Sequence, residues 1–225
     1  MPAAADLSAI HVVLPIRSLS GGKLRLGAAV DAEERAALIV GMLRQTLAVL
    51  AAWPPAAAVH VVSPDPDVAA VALAAGARPL RQLDGRLNAA IRAARDVAQA
   101  EGATALLILP GDLPLLDAAA LDRFHEAADA ALAAGRGRPI VTLAAADAGD
   151  GTNALLCSPP ATIEPSFGPH SLDRHLRAAR EAGASIQVVV DPTLGFDLDT
   201  PADLERLDPH RVTALEALGA EASPA

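Results

Sequence analysis

The sequence predicts an α/β fold: three layers, with a mostly parallel sheet and helices on both of its faces. Three observations lead there. Short apolar runs recur along the chain without alternating with polar residues, as in strands buried on both faces. Stretches of helical spacing with identifiable starts lie between those runs, so strand and helix alternate. The 225 residues are 52% apolar, but with only three Phe, one Trp and no Tyr the core must be built from Ala, Val, Leu and Ile. Such residues suit helices packed on a sheet.

The expected strands are His11–Ile16, Val59–Val62, Ala105–Leu109, Ile140–Leu143, Ala154–Cys157 and Ile186–Val190. Asp31 with Glu34 three residues on forms a capping-box pattern, and Ile39, Leu43, Leu47 and Leu50 then share one helical face. Asp65 before Pro66 opens a second helix, and Asp84 caps a third running through Leu87, Ile91 and Ala94. Asp117, Ser171, and Thr200 with Pro201 start three more. No linker rich in Gly, Ser or Pro divides the chain and no repeat is visible. One domain over 1–207 is expected, with 208–225 a C-terminal tail whose small terminal residues predict partial disorder.

A net charge of −9 argues against nucleic-acid partners, whose binding draws on many Lys and Arg. A phosphate-bearing ligand must then be small and held locally, which makes the basic cluster Arg17, Lys23 and Arg25 informative. The single cysteine, Cys157, excludes an internal disulfide framework and reads as a small buried residue. The first nine residues lack a basic leader and no apolar run approaches a membrane span, so a cytoplasmic protein with no membrane partner is expected.

Four segments carry chemistry, each at an expected strand end, where α/β domains bind ligands. In Arg17-Ser18-Leu19-Ser20-Gly21-Gly22-Lys23-Leu24-Arg25, paired glycines bring backbone amides near an anion and the cations serve phosphates. The same residues also describe a flexible basic loop. Asp112, in Pro110-Gly111-Asp112-Leu113-Pro114, is a strand-end carboxylate or a turn former. In Gly195-Phe196-Asp197-Leu198-Asp199-Thr200-Pro201, extended backbone would point Asp197 and Asp199 to one side, towards one metal ion. Alternatively, Asp199 only favours the following helix start, with Thr200 as its cap. On the metal-binding readings, Asp112, Asp197 and Asp199 together would compose a Mg²⁺ site. His170 and His175, five apart on a helix, do not share a face as zinc ligands would.

The fourth segment is Gly151-Thr152-Asn153-Ala154 with Phe167-Gly168-Pro169-His170-Ser171. Gly168 lets backbone approach a ligand, and Ser171 is either a hydroxyl beside free amides or an ordinary N-cap. Asn88 divides in the same way between a helix-start residue and a ligand contact.

In this order and over nearly the whole chain, these motifs resemble the guanylyltransferases of deazaflavin coenzyme F(420) biosynthesis, which act on 2-phospho-L-lactate or phosphoenolpyruvate. The matching pieces are Pro15-Ile16-Arg17 with Lys23-Leu24-Arg25-Leu26, Leu87-Asn88-Ala89-Ala90, Gly111-Asp112-Leu113-Pro114, Gly151-Thr152-Asn153-Ala154-Leu155-Leu156, Phe167-Gly168-Pro169-His170-Ser171 and Asp197-Leu198-Asp199-Thr200-Pro201. The resemblance implies a nucleotide-diphospho-sugar transferase-like fold, related to the molybdenum-cofactor guanylyltransferases, and Mg²⁺ on Asp112, Asp197 and Asp199. It implies that Lys23, Arg25 and Asp112 are catalytic and that Arg17, Lys23 and Asn88 serve GTP. Thr152, Gly168 and Ser171 would hold a small phospho-acid. His170 stands where the family has a small or acidic residue and Leu172 where it has Phe, both beside the acid pocket, so 3-phospho-D-glycerate joins the acids to be tested. The family's labile products imply handover to the next transferase of the pathway. Two other readings remain: a metal-dependent sugar-nucleotide glycosyltransferase, and a non-catalytic nucleotide-binding protein on the same fold.

Overall fold

In the computed structural model, which describes residues 4–19, 21–82, 86–147 and 149–220, seven strands form one sheet in the order β3-β2-β1-β4-β6-β5-β7. They are β1 (Ile10–Pro15), β2 (Ala56–Ser63), β3 (Arg78–Arg81), β4 (Ala105–Ile108), β5 (Ile140–Ala145), β6 (Thr152–Ser158) and β7 (Ser185–Val189). All are mutually parallel except β6, which runs antiparallel to both its neighbours, β4 and β5.

Residues of β1 alternate between two cores, as the two-residue strand period requires. Ile10, Val12 and Leu14 meet one helical layer, made of α1 (Ala32–Ala51), α2 (Pro66–Ala74) and α4 (Ala118–Gly135). Val13 faces the other, with Ile91 and Ala94 of α3 (Leu87–Ala100) and Ala179 of α5 (Ser171–Glu181). Three layers are therefore present, and the alanine-rich composition serves them: Ala120, Ala128 and Ala131 of α4 are fully buried.

The helix starts follow the predicted chemistry. The Asp31 side chain accepts from the Glu33 and Glu34 amides, and Glu34 returns a bond to the Asp31 amide. Asp65 and Asp117 cap α2 and α4. Thr200 and Asp203 form a reciprocal box at α7 (Pro201–Arg206). Asp84, expected to cap α3, lies outside the described residues, as does Ser20. Ser171 does not cap α5: it is the first helical residue, and the cap position falls to His170 in a left-handed conformation, φ 55°.

The segment from Asp208, expected as a tail, instead holds α8 (Pro209–Ala220), packed along α1. Glycines permit the approach: a Cβ on Gly41 would collide with the Leu215 carbonyl, and one on Gly219 with that of Ala37. Leu215 joins Leu26, Leu38, Met42, Phe196, Leu198 and Leu207 in a third apolar cluster. That cluster seats both the basic loop and the Asp197–Asp199 segment. Beside the C-terminal end of α3, buried His11 and His60 lie 3.1 Å apart against Glu101, which also pairs with Arg78. Burial holds both imidazoles below their ordinary pKa. Among the described residues no helix is long and apolar enough to cross a membrane.

Candidate active site

Strand order reverses around β1, because β2 and β3 lie on one side and β4 on the other; the crevice at the carboxyl ends of β1 and β4 is where an open α/β sheet receives ligands. A cleft of about 780 Å³ opens there. Its wall includes Arg17, Lys23, Arg25, Asp112, Thr152, Gly168, Ser171, Asp197 and Asp199. Of the site residues expected from sequence, only Asn88 is absent from that wall.

The loop after β1 turns tightly, with the Gly22 amide donating to the Ser18 carbonyl at 2.7 Å, before a 3₁₀ turn over Leu24–Ala28. Lys23 sits at its start with φ 52°, a left-handed backbone uncommon for a residue with a side chain. This conformation belongs with a side chain turned inwards: Lys23 is 10% exposed, and its Nζ bonds Asp112 Oδ2 at 2.5 Å and also Asp199 Oδ1. Burial pushes this ammonium down, but the Asp112 and Asp199 carboxylates outweigh burial and hold it above the ordinary lysine range. Arg17 and Arg25 remain exposed on the cleft wall.

The two acidic segments are tied by one backbone bond, Leu198 N–H to the Asp112 carbonyl at 3.1 Å. No strand forms at Asp197–Asp199; it is irregular chain between α6 (Pro192–Gly195) and α7. Its orientation comes from Leu198, fully buried between the two aspartates, which turns both carboxylates to the cleft. Burying that side chain contributes about 1.5–3 kcal/mol. Asn153 adds a polar anchor, its Nδ2 donating to Gly195 O at 2.9 Å and reaching Asp197 Oδ1 at 3.4 Å. Thr200 does cap α7, yet Asp199 does more than favour that helix, because its carboxylate meets Lys23.

Burial, with the neighbouring Asp112 and Asp199 charges, raises the Asp197 pKa. Asp112 and Asp199 thus meet one ammonium and Asp197 lines the same cleft, leaving negative charge that a hard cation would neutralise.

The other end of the cleft is polar and carries hydroxyls. The Thr152 amide donates to Ser171 Oγ at 3.0 Å, and Thr152 Oγ1 lies 3.0 Å from His175 Nδ1. Gly168, with φ 119°, bends the chain so that its carbonyl accepts from the Ser171 amide at the start of α5. A side chain there would be strained. Asn88 braces this loop: its amide donates to Phe167 O at 3.1 Å and accepts from Phe167 N at 2.8 Å. His170 pairs with Asp150 at 2.7 Å on the surface, whereas His175 is fully buried. Asn153 and His175 are the site residues that sequence reasoning did not single out. Their partners come from other elements, so no local pattern marks them.

The family model described as "Guanylyl transferase CofC like" matches residues 10–212. The phosphoenolpyruvate guanylyltransferase of Rubrobacter xylanophilus is 43% identical over 199 residues, covering 88% of this chain and 93% of that protein. The 3-phospho-D-glycerate guanylyltransferase of Phenylobacterium zucineum is 39% identical over 198 residues, 86% and 87% of the two chains. Among solved structures, a candidate nucleotide-diphospho-sugar transferase from Desulfovibrio desulfuricans superposes with a TM-score of 0.73 at 16% identity, covering 94% of this chain and 96% of that one. At that identity the likeness shows the fold.

Proposed function

The chain belongs to the CofC-like guanylyl transferase family, and from that we propose that it transfers GMP from GTP to phosphoenolpyruvate or 3-phospho-D-glycerate, releasing pyrophosphate, in coenzyme F(420) biosynthesis. One observation carries the reading: a single cleft joins a cationic and carboxylate-rich end to a polar end that carries the Thr152 and Ser171 hydroxyls. A nucleoside triphosphate suits the first and a compact phosphorylated acid the second.

Arg17, Lys23 and Arg25 supply positive charge to the triphosphate, and Asn88 holds the Phe167–Gly168 backbone from behind. Thr152, Gly168 and Ser171 hold the acid. Asp112, Asp197 and Asp199 fit Mg²⁺ by the chemistry of the donor set, three carboxylates on one cleft wall. Bound there, the ion would neutralise charge on the phosphates.

A phosphate oxygen of the acid attacks the α-phosphorus of GTP in line. The bond to the bridging oxygen breaks and pyrophosphate leaves with it. A phosphomonoester has its second pKa near ~6, so at neutral pH the nucleophile is already a dianion and no general base is needed. Positioning and charge stabilisation then account for the rate. We place the reaction in the cytoplasm and the labile product in direct transfer to the next transferase of the pathway.

The test offers GTP and Mg²⁺ with phosphoenolpyruvate, 3-phospho-D-glycerate and 2-phospho-L-lactate separately, with ATP, CTP and a nucleotide sugar as controls. Pyrophosphate release with GTP and one of the first two acids is expected. Consumption of a nucleotide sugar without pyrophosphate would favour a glycosyltransferase. Tight GTP binding with no turnover on any acid would favour a non-catalytic protein.

A further inference from the structure

We propose that His175, which does not line the cleft, is a positioning residue that fixes the proton direction of the acid pocket: it makes Thr152 Oγ1 an acceptor on its inner side and so a donor towards the ligand. The inference rests on the acid-binding role proposed for this pocket.

Hydrogen-bond direction in the pocket follows from the one partner whose role is fixed. A backbone N–H can only donate, and that of Ser166 meets His175 Nε2 at 2.9 Å. Nε2 must therefore be the bare nitrogen, and the ring proton sits on Nδ1. Nδ1 lies 3.0 Å from Thr152 Oγ1, so the imidazole donates and the hydroxyl accepts. The Thr152 hydroxyl proton is released to point elsewhere, and Thr152 lines the cleft.

Ser171 obeys the same logic. Its Oγ accepts from the Thr152 amide at 3.0 Å, which leaves its own proton free on the cleft wall. Neither hydroxyl has an acceptor among the described residues. Two O–H donors are thereby presented side by side, as an anionic oxygen of a phospho-acid requires.

The ring can hold this role because it stays neutral. His175 is fully buried, its face packed at 67° and 5.0 Å against Phe167; burial, with the Arg174 charge adding, pushes it down to about 4. A charged imidazolium would donate from both nitrogens and confront the Ser166 N–H. The device is local: α5 supplies His175, the loop before it supplies Ser166, and β6 supplies Thr152.

Two near-isosteric variants separate the two nitrogens. H175N keeps a donor at the Nδ1 position and loses the acceptor for Ser166. H175Q keeps an acceptor at the Nε2 position and loses the donor to Thr152. We expect H175Q to raise the KM for the acid at least about tenfold with the KM for GTP unchanged, and H175N to stay within about threefold of wild type for both. In a T152V background, H175Q should add no further loss. Equal acid KM values in the two variants, or an undiminished H175Q effect on T152V, would overturn the proposal.

Because either variant could fail to fold, the tautomer is also read on the wild-type protein by long-range ¹H–¹⁵N NMR of its histidines. An Nδ1–H form of His175 is expected at pH 7, and an Nε2–H or doubly protonated form would refute the inference. Wild-type protein that turns over none of the acids would count against the proposed function; turnover with indifferent H175Q would count against His175 alone.

Discussion

Two aspartates from segments far apart in sequence meet one lysine, and a third stands with them on the cleft wall. Asp112 and Asp199 bond Lys23 directly, whereas Asp197 is held by Asn153 and has a pKa raised by burial and the neighbouring carboxylates. Replacing Asp112 or Asp199 by Asn removes a charge while keeping the shape. Turnover should fall at least about 10²-fold, since the proposed function gives this site the task of stabilising charge on the phosphates. Pyrophosphate release by folded D112N and D199N checks this; rates near wild type would contradict the assignment. Asp112 was picked out in the sequence as a strand-end carboxylate; Asp197 and Asp199 were picked out as a D-x-D on an expected extended segment, and they stand instead on irregular chain after α6. Asn153 and His175 were not legible. Asn153 acts on Gly195 and Asp197, more than forty positions away, and His175 was weighed only as a zinc ligand. Their partners exist only once β6, α5 and the segment after α6 are packed.

At the scale of elements, the catalytic geometry depends on α1, the basic loop and the Asp197–Asp199 segment sharing one apolar cluster, with α8 closing it from outside. Gly41 and Gly219 let α1 and α8 approach closely, so G41V should force them apart. Overpacking of this kind costs about 1–3 kcal/mol, and the backbone carbonyl at this contact cannot move aside as a side chain could. Urea unfolding should show a lowered midpoint for G41V, and G41A should lose less. An unchanged midpoint would mean that α8 is not part of the folded core.

Sequence reading missed this helix as an element of the core because only Leu215 of α8 is fully buried, so its packing is written in small residues and not in an apolar stripe. It missed β3 because Arg78-Pro79-Leu80-Arg81 is a short edge strand with exposed charged ends, where proline is tolerated. The run in β6 was legible as a strand but not as an antiparallel one. An unbroken apolar run reports burial on both faces, and direction is set by the connections. The helix caps at Asp31, Asp65, Asp117 and Thr200 were legible because capping is local chemistry.

Taken whole, the molecule is acidic, with a net charge of −9, yet it turns a cluster of cations and carboxylates into one cleft at the point where strand order reverses. Long-range steering would repel a polyanion, so recognition of GTP must rest on this local set of charges. One cleft of about 780 Å³ takes in both the Lys23–Asp199 end and the Thr152–Ser171 end, which is what the central claim needs: an oxygen of the acid's phosphate bonds to the α-phosphorus of GTP. Isotope tracing tests that step most directly. The acid that turns over is prepared with ¹⁸O on its phosphorus and allowed one round with unlabelled GTP. Mass spectrometry of the guanosine product should find ¹⁸O in the oxygen bridging the two phosphorus atoms, and the pyrophosphate should carry none. Label in the pyrophosphate, or a GMP product whose new oxygen came from water, would contradict the account.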